Sequence, residues 1–410
     1  MRHGAAADRR SGHDRSVVVI GGGVMGTSTL YHLARAGLCD TTLLEADVLA
    51  GGSSGKPLGG VRAQFSDPAN IALGHRSLAA YARFSDELGV DIGFEQVGYL
   101  FALRAPADVA PFEASIALQR SMGVRSELLT VSEARVHCPY LDPVPTPHAR
   151  PAFEMRDGVL NEVLAAAWSP DSGFARPGAV VQGYATAAAA LGAEVRTHAS
   201  VVGIEGTGDG RALVTTDDGS RYRAGAVVCT AGAWSGQLAA SVGVDLPITP
   251  LRRQIAFTPP VPDRPPRLPF TIDYSSTAYF HGTEDGGLLL GWADPDQPPG
   301  YDRSVSNDWH VPLRRALSRF APALVDVPIV DGWAGLYEMT PDCNALVGEA
   351  DPGFRFLYAA GFSGHGFLQG PAVGEVLAAR LLGRPPPVDV SCFDASRFRH
   401  APARTELGII

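Results

Sequence analysis

The stretch Ser16-Val-Val-Val-Ile-Gly-Gly-Gly-Val-Met-Gly26 decides the fold of this chain. Its apolar residues Val17 to Ile20 lead into the pattern GxGxxG, and an apolar run compatible with a helix follows. A second apolar segment, Thr41 to Leu44, ends at Glu45. A strand, a glycine turn, a helix, a second strand and a terminal acid form the context in which GxGxxG binds a dinucleotide. The opening of the chain therefore predicts a Rossmann-like nucleotide-binding domain.

Each part of this motif has a physical role. Gly21 permits the tight turn after the strand, Gly23 lets the backbone approach a pyrophosphate, and Gly26 lets the helix pack on the sheet. The helix N-terminus offers free amide groups to the phosphates. Glu45 can accept hydrogen bonds from ribose hydroxyls, and its charge disfavours the 2′-phosphate of NADP. The motif alone does not separate FAD from NAD.

Composition limits the classes of protein to consider. The chain has 410 residues, of which 45% are hydrophobic and 19% charged, so it is long enough for two domains with large cores. The net charge of −9 disfavours nucleic acid as a partner, and no apolar run is long enough to span a membrane. Residues 1–15 are polar and predict a disordered tail. Five scattered cysteines without CxxC spacing indicate reduced thiols, a cytoplasmic location and no metal site.

Patterning along the rest of the chain predicts an α/β (α+β) architecture with two domains. Helices are predicted over 71–88, 108–137, 179–191 and 371–382, strands over 94–104, 194–204, 226–231 and 356–360, and a proline-rich linker over 143–151. We assign 16–92, 150–240 and 331–390 to a discontinuous nucleotide-binding domain, 93–149 and 241–330 to an antiparallel β-sheet substrate domain, and 391–410 to a C-terminal tail. The last helix is expected to begin with Pro371 at its first position.

A second unit of strand, glycine loop and helix lies near the C-terminus. The apolar segment Phe356 to Ala360 leads into Gly361-Phe-Ser-Gly-His-Gly-Phe367, and the predicted last helix follows. A nicotinamide dehydrogenase usually needs only the first such unit, whereas a flavin domain needs later segments that close over the isoalloxazine. The second unit therefore favours FAD.

Three later motifs carry a resemblance to a known family. They are Cys229-Thr-Ala-Gly-Ala-Trp-Ser235, Gly335-Leu-Tyr-Glu-Met-Thr-Pro-Asp342 and the Gly361–Phe367 loop. In this order they resemble the D-amino acid oxidase superfamily of FAD oxidoreductases, and most closely its sarcosine oxidase, dimethylglycine dehydrogenase and glycine oxidase-like branch. The resemblance implies FAD and a small amine or amino-acid substrate. It implies oxidation of a C–N bond in a secondary or tertiary amine by hydride transfer to flavin N5, with O2 or another acceptor reoxidising the flavin.

The resemblance also implies roles for individual residues at the reacting end. Arg62 falls where sarcosine oxidases hold the substrate carboxylate, although a flavin-contacting arginine is the alternative. Tyr337 matches an aromatic residue of the substrate cage, or packs in the core. Gly364 offers a carbonyl to the substrate amine, and His365 contacts the flavin or acts as a base. Together, fingerprint and resemblance imply FAD contacts from Gly21, Gly23, Val24, Met25, Gly26, Glu45, Ala46, Ser53, Ser54, Lys56, Val202, Ala231, Gly232, Trp234, Gly335, Gly361, Gly364, His365, Gly366, Phe367 and Leu368.

Three departures from the family pattern carry information. Gly335 stands where some members attach flavin through cysteine, and Lys56 lies where others use histidine, so we expect non-covalent FAD. Leu289 stands in place of a lysine that assists the reaction with oxygen, so a slow oxidase or another acceptor is expected. Leu368 replaces a second carboxylate-binding lysine, which indicates a substrate other than sarcosine.

Other functions stay open from the sequence. The superfamily also oxidises C–O bonds, so a 2-hydroxy acid oxidoreductase is the alternative reaction. The chain could instead act as a flavoprotein subunit within an electron-transfer complex. The oligomeric state is open.

Overall fold

The computed structural model describes residues 16–142, 162–400 and 405–407. The predicted tail 1–15 and linker 143–151 lie outside these residues. The strands are β1 Val17–Ile20, β2 Thr41–Leu44, β3 Gly60–Val61, β4 Tyr99–Leu103, β5 Glu127–Leu129, β6 Ala165–Ser169, β7 Gly173–Phe174, β8 Glu194–Arg196, β9 Val201–Gly206, β10 Ala212–Thr216, β11 Arg221–Ala224, β12 Ala226–Cys229, β13 Thr249–Phe257, β14 Phe270–Asp273, β15 Ala278–Gly282, β16 Leu288–Trp292, β17 Asp331–Met339, β18 Leu346–Ala350 and β19 Arg355–Ala360. The helices are α1 Val24–Arg35, α2 Pro68–Ala82, α3 Phe84–Leu88, α4 Pro106–Ser121, α5 Val131–His137, α6 Pro177–Ala190, α7 Ser235–Ser241, α8 His310–Leu317, α9 Gly366–Leu381 and α10 Arg397–His400.

The first sheet confirms the predicted α/β fold. Its six strands run in the order β18-β19-β12-β1-β2-β8, and all neighbouring pairs are parallel except β18 with β19. β1 is central and buried on both faces, which explains its unbroken apolar sequence. Val17 and Val19 pack towards the helices α1, α6 and α9, whereas Val18 and Ile20 pack towards the small sheet β11-β10-β9.

Helices α1 and α9 cross at unusually short range. A side chain at Gly370 would place its Cβ 2.5 Å from Val24, and one at Gly374 would collide with Ser28. Because both positions lack a side chain, the two helices can pack with their backbones close together. The crossing brings the N-termini of α1 and α9 to the same end of the sheet, next to the carboxyl ends of β1 and β19.

The start of α9 differs from the prediction. The helix begins at Gly366, and Pro371 lies inside it rather than at its first position. Proline has no N–H, so it cannot bond to the carbonyl of Phe367, four residues earlier. The hydroxyl of Tyr81 donates to that carbonyl at 2.6 Å. A tertiary hydrogen bond thus replaces the missing helical one, which local sequence patterning could not reveal.

The second sheet is larger and is mixed rather than purely antiparallel. Its eight strands run in the order β17-β13-β16-β15-β14-β4-β6-β5, and β4 pairs with β14 in parallel. Two of its strands, β6 and β17, fall in segments that the sequence assigned to the nucleotide-binding domain. β17 belongs here because it pairs along its whole length with β13, from Thr249↔Met339 to Phe257↔Asp331.

Several predicted elements are interrupted. The predicted helix 71–88 divides into α2 and α3, and the one over 108–137 divides into α4, β5 and α5. A capping box of Thr130 and Glu133 begins α5, which is the local signal for this break. The predicted strand 194–204 divides into β8 and β9, which belong to different sheets.

Part of the predicted C-terminal tail is anchored. The buried carboxylate of Glu406 accepts hydrogen bonds from the backbone amides of Ser66 and Asp67 and from the side chain of Asn70. These contacts hold residues 405–407 against the start of α2.

Across the described ranges, no helix is long and apolar enough to cross a membrane.

The bond between Tyr81 and the Phe367 carbonyl can be tested by a double-mutant cycle. Tyr81→Phe leaves this buried carbonyl without a donor and should lower the free energy of unfolding by about 1–3 kcal/mol. In a Pro371→Ala background the new backbone N–H can bond to the same carbonyl, so Tyr81→Phe should cost less than half as much. Denaturant unfolding measures all four proteins. Equal costs in the two backgrounds would show that the hydroxyl does not serve this carbonyl.

Candidate functional site

A cavity of about 590 Å³ extends from the carboxyl ends of β1 and β2 to the face of the eight-stranded sheet. Residues of both sheets and the first turns of α1 and α9 line it. Its volume lies in the range of small-molecule and cofactor sites. The cavity has two parts with different chemistry. We call the part around Gly21, Glu45 and Ser54 the nucleotide end, and the part around Arg62 and Tyr337 the substrate chamber.

The nucleotide end surrounds the glycine turn after β1. Gly21 has φ +110°, and a side chain there would collide with the Thr230 carbonyl, so the turn requires glycine. The hydroxyl of Ser54 accepts a hydrogen bond from the amide of Val24 at 2.9 Å. Gly23, Val24 and Met25 line the cavity, so the amino end of α1 opens onto it, as an anion site requires.

Glu45 lies at this same end, where the fingerprint predicts it. Its Oε2 accepts from the amide of Gly22 at 2.6 Å, and its Oε1 accepts from the amide of Asp47 at 2.9 Å. An ionised carboxylate offers about four acceptor positions. These two bonds fix its orientation and leave acceptor capacity for the hydroxyls of a ribose.

The start of α9 forms the junction between the two parts, and His365, the residue just before the helix, is the most informative there. The side chain is buried, and its ring lies 5.7 Å from that of Phe65 and 6.0 Å from that of Phe362, measured between centres. Neither ring nitrogen has a hydrogen-bond partner among the described residues. Burial, with a smaller contribution from Arg62, lowers the pKa of His365 to about 3. The imidazole is therefore neutral near pH 7 and has two unused polar atoms at the cavity.

Arg62 lies in the substrate chamber in an aromatic setting. It is 4% exposed, and its guanidinium carbon lies 4.4 Å from the ring centre of Phe65 and 5.6 Å from that of Tyr99. Its Nη1 donates to the carbonyl of Gln64. Burial lowers its pKa, yet a guanidinium stays protonated in proteins. The chamber thus contains a permanent, oriented positive charge.

Lys56 and Gly335 lie side by side in the cavity wall. A Cβ added to Gly335 would stand 2.6 Å from the Cβ of Lys56, and Lys56 is the only lysine of the chain. The Nε1 of Trp333 donates to the Lys56 carbonyl at 2.7 Å and holds this segment against β17. The two positions that distinguish this chain from relatives with covalent flavin therefore meet at one place.

The structure brings nearly all predicted site residues to the cavity. Every predicted catalytic and FAD-contacting residue lines it except Gly26 and Gly361. Gly26 packs beneath the Gly21 carbonyl, and Gly361 forms a turn at φ +70° beside Thr340. Leu289 packs in the adjoining apolar cluster and does not line the cavity.

The sequence did not predict several polar residues of the cavity, among them Tyr99, Arg253, Tyr279 and Glu338. The sequence does contain a signal for Arg253. Side chains alternate along a strand, so Arg253 shares the cavity-facing side of β13 with Ile255, and Arg252 lies on the other side. Glu338 stands inside the quoted motif at 335–342. The two tyrosines come from strands whose pairing is not local, so their convergence on Tyr337 has no signal in the sequence.

The residues present fit FAD. A dinucleotide needs a glycine turn with helix amides at its pyrophosphate and an acid at its ribose, and the nucleotide end provides both. Further along the cavity, buried polar atoms of Glu338, His365 and Arg253 lack partners among the described residues. Such atoms are costly unless a ligand completes their hydrogen bonds.

Comparison with known proteins agrees with this fit. Residues 16–380 match the DAO family, described as FAD dependent oxidoreductase. The chain belongs to this family. The predicted FAD cofactor and the predicted resemblance are thereby confirmed, and the fold is shared with solved members.

Named relatives cover nearly the whole chain. A 4-methylaminobutanoate oxidase (formaldehyde-forming) of Paenarthrobacter nicotinovorans is 29% identical over 97% of this chain and 48% of its own length. A glycine oxidase of Bacillus licheniformis is 27% identical over 93% of this chain and 96% of its own. The crystal structure of L-proline dehydrogenase from P. horikoshii has a TM-score of 0.83 and 31% identity, covering 94% of this chain and 97% of that one. The chain spans about half the length of the first curated relatives it matches.

Glu338 has the most perturbed carboxyl of the cavity. Its Oε2 is shielded and unpartnered among the described residues, and it lies 3.8 Å from where a Cβ of Gly232 would stand. Burial raises the pKa of Glu338 to about 7, against smaller opposing effects of the Gly361 and Phe362 amides. Near neutral pH the carboxyl is therefore about half protonated.

This shift predicts a pH-dependent stability difference. As the pH rises from about 4.5 to 7, the unfolded chain releases this proton while the native state retains it, so stability falls. Glu338→Gln removes the effect. The stability of the variant relative to wild type, both prepared without FAD, should increase over this pH interval by about 1–3 kcal/mol and level off above pH 7. Denaturant unfolding between pH 4.5 and 8 measures it, and a difference that does not change with pH would contradict the shift.

Proposed function

We propose that this protein uses FAD to oxidise the C–N bond of a secondary or tertiary amine or amino acid, of N-methyl or cyclic type, by hydride transfer to flavin N5. The substrate chamber is the observation that supports this most. It places the permanent cation of Arg62 and the neutral, unpartnered imidazole of His365 in the same cavity as the nucleotide end. The relatives named for 4-methylaminobutanoate, glycine and L-proline support the same substrate class.

FAD would be held by the two helix N-termini and by Glu45. The turn at Gly21 and the amides of α1 suit its pyrophosphate, and Glu45 suits the ribose. The first turn of α9, with Gly364 and Gly366, suits the flavin, because helix amides stabilise negative charge that develops on reduction. Bound FAD supplies the hydride acceptor, which no side chain can provide.

The chamber's own residues would bind the substrate and set its protonation state. Arg62 can hold a carboxylate in a bidentate fork, and the Gly364 carbonyl can accept a hydrogen bond from the amine. Fixed positive charge lowers the pKa of a bound ammonium, so it favours the free amine whose lone pair assists loss of hydride from the adjacent carbon. While a secondary amine is still protonated, a ring nitrogen of neutral His365 can accept its second N–H. The imine product then needs only water for hydrolysis.

The same residues make the 2-hydroxy acid reaction the weaker alternative. Oxidation of a C–O bond requires removal of the hydroxyl proton by a base. His365, with its pKa lowered to about 3, is a poor base at neutral pH. An amine carries its own lone pair and needs no such group. The remaining alternative, a subunit whose main role is assembly, predicts no turnover by the isolated chain.

An anaerobic substrate panel tests the function. N-methyl and cyclic amino acids should bleach the flavin absorbance of the isolated holoenzyme, whereas the matching 2-hydroxy acids should not. Readmitted oxygen should restore the colour more slowly than an artificial acceptor does, because the family's oxygen-assisting lysine is absent. Bleaching by hydroxy acids alone would reverse the assignment, and bleaching by none would favour the assembly role.

We further propose that FAD is bound without a covalent link. Gly335 offers no nucleophile, and Lys56 crowds this position from the adjacent segment. Acid precipitation of the holoenzyme should therefore release all of the yellow flavin into the supernatant. Mass spectrometry of the pelleted protein should give the mass of the unmodified chain. Flavin retained in the pellet would refute the proposal.

A further inference from the structure

Arg253 is a further charged residue of the cavity wall, to which the proposed function assigns no role. It lies on β13, and strand alternation directs it towards the substrate chamber together with Ile255. Its neighbour Arg252 faces the other way and donates hydrogen bonds to Asp302, Gln297 and Ser304. The two adjacent arginines thus have different roles, one in a surface network and one in the cavity wall.

The guanidinium of Arg253 has no anionic partner in the described part of the chain. Its Nε is shielded from solvent and makes no hydrogen bond, and its Nη1 has only a long contact, 3.3 Å, with the Arg252 carbonyl. Its Cζ lies 5.4 Å from the centre of the Tyr337 ring. A shielded N–H without an acceptor is costly, so a ligand that offers an acceptor at Nε is favoured. The arrangement is therefore suited to an anion that enters the chamber.

The charges of the chamber support the same conclusion. Arg62 and Arg253 both act electrostatically on Tyr337, so both guanidinium groups lie near this tyrosine. The carboxylates that line the cavity lie elsewhere: Glu45 and Asp47 are at the nucleotide end, and Glu338 is beside Gly232. Arg62 and Arg253 thus both belong to the chamber. The Glu406 carboxylate, outside the cavity lining, acts electrostatically on Arg62, whereas no carboxylate of the described residues pairs with Arg253.

We infer that Arg253 is a second anion-binding residue of the substrate chamber, and that the preferred substrate is an amine bearing two carboxylates, one held at Arg62 and one at Arg253. That the bound molecule is an amine rests on the proposed function. Its nitrogen lies between the two anchors, near Tyr337 and His365. Each guanidinium matches the planar geometry of a carboxylate. Leu368 replaces the second carboxylate-binding lysine of the family and adds no charge. This replacement is consistent with a second carboxylate anchor on β13 instead.

Binding of carboxylates that cannot be oxidised tests this inference without turnover. The holoenzyme is titrated with propionate, butyrate and valerate and with malonate, succinate and glutarate, and the flavin absorbance change reports Kd. The best dicarboxylate should bind about 10–100-fold more tightly than the monocarboxylate of equal chain length, as one additional charged hydrogen-bonded contact implies. Arg253→Met should abolish this advantage and leave monocarboxylate Kd within about twofold. Arg253→Lys should restore part of it.

Arg252→Met removes an equal charge from the opposite face and should keep the dicarboxylate advantage. Equal affinity for both ligand classes in the wild type would overturn the inference, and this comparison needs no variant to fold. Equal weakening of both classes by Arg253→Met would also overturn it, because Arg253 would then be the sole carboxylate anchor. A dicarboxylate preference without amine-dependent bleaching would reject the proposed reaction but keep the paired anion site.

Discussion

The close crossing of α1 and α9 is the constraint on which the rest of this structure depends. Helices from the two ends of the chain meet at Gly370 and Gly374, where no side chain holds their backbones apart. Their N-termini therefore open onto one cavity, and the partial positive charge at each lies where a dinucleotide carries phosphate or reduced flavin charge. Larger residues at these two positions would separate the termini and remove the geometry that makes one cofactor site from two distant segments.

The crossing also determines where the chemistry takes place. The loop before α9 approaches β17 through the amide of Ser363, which donates to the Glu338 carbonyl at 3.0 Å. β17 in turn pairs with β13 along its whole length. The cofactor end and the sheet that forms the substrate chamber are thus joined through a continuous backbone network. Tyr337 and Arg253 line the substrate chamber because they occupy these two paired strands.

Local patterns predicted the nucleotide end well and the substrate chamber poorly. The turn at Gly21, the acid at Glu45 and the loop at 364–368 are each contained in a short segment, so their neighbours in space are their neighbours in sequence. Arg253 becomes a site residue only through the pairing of β13 with β17, which joins positions about eighty residues apart. The true start of α9 depends on Tyr81, a residue from another helix. In both cases the local sequence does not determine the structure. Contacts with residues distant in the sequence determine that Arg253 lines the site and that α9 begins at Gly366.

The separation of charge along the cavity links binding to the reaction. Glu45 and Asp47 lie at the nucleotide end, where Glu45 suits ribose hydroxyls. Arg62 and Arg253 lie in the substrate chamber, and Arg62 is buried among aromatic rings. In such a setting charges interact more strongly than in water. A positive field that holds carboxylates would also destabilise an ammonium ion, so under the proposed function it would favour the deprotonated amine. Substrate binding and preparation for hydride loss would then have one electrostatic origin, without a dedicated base.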